Sequence, residues 1–167
     1  MEYITKKDNH RFIDGYTFHR PVYLTLGFND YVKFGLDVDK SKERMKNNHK
    51  HFFNEIHRSV YKKSNKKIPR YVVIERGGKT GGLHTHIVCE TPEHLSTNKF
   101  EWILNNSWKK TKDGVSLFLV KDIYDKKGLD SYNTKQQSQK YTDAEVDFMN
   151  SHNIRESKME LQGCVEH

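Results

Sequence analysis

The chain has 167 residues, enough for one packed domain (1–167) and too few for two ordinary ones. Lys and Arg number 29 against 22 Asp and Glu, and this net charge of +7 suits a polyanionic partner, with no single-sign block of the kind that marks a disordered tail. Cys89 and Cys164 are the only cysteines, which excludes a disulfide framework or a CxxC zinc site; with no secretory leader and no apolar run near the ~20 residues of a membrane span, a cytoplasmic location is expected.

Residues 21–28, PVYLTLGF, are rich in β-branched and aromatic side chains and read as a strand. From Ser41, a candidate N-cap, to about Lys63, the residues Met45, Phe52, Ile56 and Val60 fall on one helical stripe. RYVVIE at 70–75 and LHTHIVCE at 83–90 are two strands joined by a glycine-rich loop, which predicts an antiparallel hairpin. Phe100, Ile103, Leu104 and Trp108 predict a helix over 97–109, and VSLFLV at 115–120 is a continuous apolar strand. Helices are expected at 129–139 and, from the capping-type Thr142, at 142–152. This order fits an α+β fold, an antiparallel sheet with helices packed on one face, of the ferredoxin-like (split βαβ) kind.

Side chains two apart on a strand share a face, so His84 and His86 project together, about 6–7 Å apart along the backbone. Ten histidines in this length produce about 0.6 such pairs by chance. His49 and His51 are a second pair, but positions i and i+2 of a helix diverge, and both are read as surface residues. Glu75, ending the neighbouring hairpin strand, can lie beside His84 and His86 across the ladder. A carboxylate and two imidazoles make a mixed O/N donor set for Mn2+ or Mg2+, which would also accept zinc, cobalt or nickel. The same three residues are equally compatible with a solvated glutamate and two packed, hydrogen-bonded histidines.

In GLDSYNTKQQSQ, Tyr132 and Lys135 stand three apart, so in a helix the phenol and ammonium share a face, with Gln136 alongside. A phenol titrates near ~10 and needs a cation or a metal-bound phosphate to act as a nucleophile. Tyr124 and Lys127 repeat the spacing at a strand exit, without a helical setting. Either tyrosine is also compatible with plain packing. The basic stretch KKSNKKIPR and the aromatics Tyr23 and Tyr31, taken as exposed, are candidate backbone and stacking contacts for a single strand. Tyr23, Thr25 and Gln136 are the DNA-contact candidates nearest the motifs.

The succession VYLTLGF, GGLHTHIVCE and GLDSYNTK, over residues 20–140, resembles the rolling-circle replication initiators of the HUH endonuclease superfamily, single-tyrosine type. Thr85 departs from the aliphatic residue usual between the two histidines. The resemblance implies a metal on Glu75, His84 and His86, Tyr132 as the nucleophile and Lys135 as its positioning cation. The reaction it implies is nicking and rejoining of single-stranded DNA at a replication origin, often a hairpin, through a 5′-phosphotyrosyl link, by a monomer that a host helicase would assist in a bacterial host of a phage or plasmid. A transposase or mobilisation relaxase of the same chemistry, and a non-catalytic single-strand-binding domain, are the competing readings. Zinc-dependent base deamination is set aside for want of a PCxxC pair, and the short length without a GxxxxGK[ST] helicase loop favours a lone nicking domain or a piece of a longer protein.

Overall fold

A computed structural model describes residues 18–28, 37–62, 65–76, 82–122 and 144–152, with the backbone alone at 116–122 and 144. The strands are β1 (Pro21–Phe28), β2 (Arg70–Arg76), β3 (Leu83–Glu90), β4 (Gly114–Asp122) and β5 (Ala144–Val146), and the helices are α1 (Val38–Tyr61) and α2 (Thr97–Lys109). The strands form one sheet in the order β4-β1-β3-β2-β5, with every neighbouring pair antiparallel. Since β1 and β2 both run antiparallel to β3 between them, they are parallel to each other, and α1 supplies the crossover that parallel strands require.

The period of two along each strand divides its side chains between two faces. Val22, Leu24, Leu26 and Phe28 of β1, Val72 and Ile74 of β2, and Ile87 and Cys89 of β3 join the helical residues Met45, Phe52, Ile56, Phe100, Leu104 and Trp108 in the main core. The helices therefore cover this one face. Tyr23, Tyr71 and Val88 occupy the other face as a second, smaller apolar cluster, against which Phe18 and Val73 pack. Cys89 lies on the core face, where burial pushes its thiol up to about 12, so it is an inert packing residue.

Helix α1 begins three residues before the expected Ser41. Asp37 is the cap, accepting the Asp39 backbone N–H, and Ser41 lies inside the first turn, its hydroxyl donating to the Asp37 carbonyl. Ser96 caps α2 by accepting from the Lys99 backbone N–H. At the start of β4, a side chain on Gly114 would meet the Trp108 carbonyl oxygen at 2.9 Å, so this residue has to be glycine for the α2 end to close onto the sheet.

The helix expected at 142–152 is not formed. Residues 144–146 pair with the free edge of β2, residues 148–150 make a turn, and His152 bridges back to Arg70. Tertiary contacts outweigh the local helical signal here. Glu145 pairs with Lys42 and Lys46 of α1, the Arg70 guanidinium donates to the Asn150 carbonyl, and Asp147 is completely buried against α1. The helix expected at 129–139 lies outside the described residues. No helix among the described residues is long and apolar enough to cross a membrane.

Candidate metal centre

On the face away from the helices, the hairpin register sets Glu75 directly opposite His84, with His86 on the diagonal. Glu75 Oε2 lies 3.3 Å from His84 Nε2 and 3.0 Å from His86 Nε2. One ligand atom from each of the three residues fits within a 4.8 Å sphere of mutual distances, and the two imidazole rings stand at 89° to each other. Glu75 and His86 are buried, while the His84 side chain retains 29% of its exposure, so the group is open to solvent on the His84 side.

Burial alone would raise the Glu75 carboxyl, but the hydrogen bonds and positive charge of His84 and His86 outweigh it and hold it down at about 2. The carboxylate is thus anionic at neutral pH, with two imidazole nitrogens facing it. An anionic oxygen and two nitrogens, convergent and open on one side, suit a divalent cation that keeps free coordination positions.

His86 is also held from its other nitrogen. Nδ1 meets the Tyr23 hydroxyl in a short hydrogen bond and the Thr25 hydroxyl at 3.3 Å, both presented by β1, on which Thr25 pairs with His86. When Nε2 gives its lone pair to a cation, the ring proton resides on Nδ1, where the Tyr23 oxygen accepts it. Tyr23 is therefore not the exposed stacking residue expected from the sequence. It is only 7% exposed, its ring stacks on that of His86, and its hydroxyl bonds the His86 ring at Nδ1. Thr25 contributes to the same arrangement.

The strand residue between the two histidines points to the other face. Thr85 is completely buried, and its hydroxyl lies 2.9 Å from His49 Nε2, whose Nδ1 donates across 2.9 Å to Asp147 Oδ2. His49 is consequently an interior residue, not the surface residue its helical position suggested; His51, beside it, is exposed. The Asp147 carboxyl is held low because the His49 and Asn150 hydrogen bonds overcome the opposing effect of burial. A polar residue at a core-facing strand position needs a buried partner, and Thr85 between two histidines carried that signal in the sequence. Its partner, remote in the chain, was not legible.

Tyr132, Lys135 and Gln136 lie outside the described residues, as do Tyr31, Tyr124 and Lys127. Of the site residues expected from the sequence, the fold brings together Glu75, His84, His86, Tyr23 and Thr25. Comparison of the chain with models of protein families, with curated proteins and with solved structures finds no match.

Proposed function

We propose that the chain is a metal-dependent endonuclease of the HUH type that cuts and rejoins single-stranded DNA to initiate rolling-circle replication. The observation that carries this reading is the convergence of Glu75 Oε2 with His84 Nε2 and His86 Nε2 from adjacent strands. The order β1-α1-β2-β3-α2-β4, with strands arranged 4-1-3-2, supports a ferredoxin-like core, to which β5 adds an edge. Net positive charge supports a nucleic-acid substrate.

A divalent cation bound by Glu75, His84 and His86, manganese or magnesium being the preferred choices, supplies Lewis-acid polarisation of the scissile phosphate. Tyr132 acts as the nucleophile: its phenolic proton passes to water, its oxygen bonds to phosphorus, the bond to the 3′ oxygen breaks, and the strand end leaves as a 3′-hydroxyl on taking a proton from water. The phosphate stays on the tyrosine as a 5′-phosphotyrosyl link, so a later attack by a 3′-hydroxyl rejoins the strand without a nucleoside triphosphate. Lys135 holds the phosphate or the phenol in position, and Gln136 assists it. Glu75 Oε2, 3.3 Å from His84 Nε2 and 3.0 Å from His86 Nε2, would be the anionic member of the donor set, with the two Nε2 lone pairs completing it.

The test is incubation of the purified chain with a pool of labelled single-stranded DNA and manganese, followed by denaturing electrophoresis. A shifted band that is lost with chelator, in Glu75→Ala and in Tyr132→Phe, and retained in Tyr124→Phe, is the expected result. Adduct formation by Tyr132→Phe would displace the nucleophile to another residue. Binding without any adduct would favour a single-strand-binding domain.

A further inference from the structure

We propose that the groove between α1 and α2, on the opposite side of the molecule from the candidate metal centre, is a second binding site for single-stranded nucleic acid, with Trp102 as its stacking platform. Two tryptophans stand on α2 with contrasting surroundings. Trp108 is 1% exposed and donates its indole N–H to the Val115 carbonyl, whereas Trp102 is 59% exposed. Phe100, Ile103, Leu104 and Trp108 form the buried stripe of the helix, which places Trp102 on its outer side. Trp102 lines a groove of about 410 Å³ together with Asn106, Lys109 and Lys110 from the α2 end and Ser59 from α1.

Charge selects the occupant. No carboxylate lines this groove, two lysines do, and Lys99 adds a third cation with its Nζ 4.2 Å from the centre of the Trp102 ring. Beneath the rim, Lys110 and Arg58 share the single carboxylate of Glu55, so positive charge remains in excess. An exposed indole beside lysines that outnumber the carboxylates near them matches how single strands are held without sequence preference, by stacking of bases on an aromatic face and contact of lysines with the phosphates. A membrane surface would ask for several protruding apolar side chains; here the neighbouring Ile103 is buried. The helices pack on the sheet face opposite to Glu75, so this site needs no metal and stands apart from the cutting reaction.

The test is the fluorescence anisotropy of an end-labelled oligothymidylate titrated with the full chain at low salt in the presence of EDTA. Trp102→Ala is expected to weaken binding roughly 5- to 150-fold, the range for loss of one stacked base, while Trp102→Phe, which keeps an aromatic face, stays within a few-fold of the parent. Replacing Lys109 and Lys110 together by Gln should flatten the dependence of log affinity on log salt by about 1.4, the value for two single-strand phosphate contacts. Because the titration is run in EDTA, where no metal-dependent cutting occurs, failure of this site is distinguishable from failure of the cutting reaction. Unchanged affinity in Trp102→Ala overturns the proposal. So does a Trp102→Ala chain that binds the oligonucleotide normally while shifting from dimer to monomer in sedimentation, or while losing affinity for anionic vesicles, because the groove would then serve another occupant.

Discussion

The hydroxyl of Thr85 lies 2.9 Å from His49 Nε2, on the opposite face of β3 from the two histidines that flank it in the chain. One strand thus presents a candidate cation site on one side and a buried hydrogen-bond chain, Thr85–His49–Asp147, on the other. That chain ties the centre of the sheet to α1 and to the segment after β5. Thr85→Val preserves shape and strand preference but leaves His49 Nε2 buried and unpaired, a loss of about 1–3 kcal/mol. Urea denaturation should show this loss in Thr85→Val and a smaller one in Thr85→Ser, which keeps the hydroxyl; equal stability of Thr85→Val and the parent would show that the bond contributes nothing net.

Removal of metal provides the simplest check on the Glu75, His84 and His86 group. A cation bound only by the folded chain stabilises it by about 2.7 kcal/mol at 100 times its dissociation constant. The melting temperature should therefore rise with manganese and return with EDTA, and Glu75→Ala should abolish the difference. A parent chain whose melting temperature ignores millimolar manganese, magnesium and zinc would end the metal assignment.

Tyr23 provides a finer test, because it touches His86 and not the cation. Loss of the partner that orients a metal-bound histidine typically costs 10–100-fold in metal affinity, so Tyr23→Phe should weaken manganese binding by about that factor in calorimetric titration. The ring itself remains to pack beside Tyr71 and Val88, which keeps the fold intact. Thr25→Val, removing the longer contact, should have the smaller effect. Identical affinities for Tyr23→Phe and the parent would deny the phenol its positioning role.

His57 confers a pH dependence of known sign. Its Nε2 faces the Ile68 N–H and the Arg70 guanidinium, both at 3.3 Å, and burial followed by the Arg70 charge lowers its pKa from the ordinary 6.5 to about 4. The unfolded chain takes up this proton first as pH falls. The contribution is therefore complete above about pH 6.5 and is lost progressively as pH falls towards 4. The stability difference between the parent and His57→Gln, which can still accept but does not titrate, should shift in this window. A difference constant from pH 7 to 4 would show that His57 is not coupled to folding.

Much of the fold is carried by short-range patterning. The alternation in β1, the glycine-rich loop of the β2–β3 hairpin and the apolar stripes of α1 and α2 are local features, and each element appears within a few residues of its expected bounds. The pairing of His84 with His86 is similarly a consequence of the two-residue repeat of a strand, and the hairpin makes Glu75 their neighbour. The segment at 144–152 is the counterexample. TDAEVDFMNSH has a cap-like start and helical spacing, yet Glu145 finds Lys42 and Lys46, Asp147 finds His49, and the edge of β2 offers unpaired backbone groups.

Local preference is worth a few tenths of a kcal/mol per residue, and a buried charged hydrogen bond or a strand edge outweighs it. The amino-acid sequence by itself determined the periodicities, and with them β1 to β4, α1, α2 and the convergence of Glu75, His84 and His86. Tertiary structure alone decided that His49 lies inside, that Tyr23 serves His86 and that Asp147 closes the chain to Thr85. Those outcomes depend on residues up to 98 positions apart in the chain, and only the packed fold brings such partners within hydrogen-bond reach.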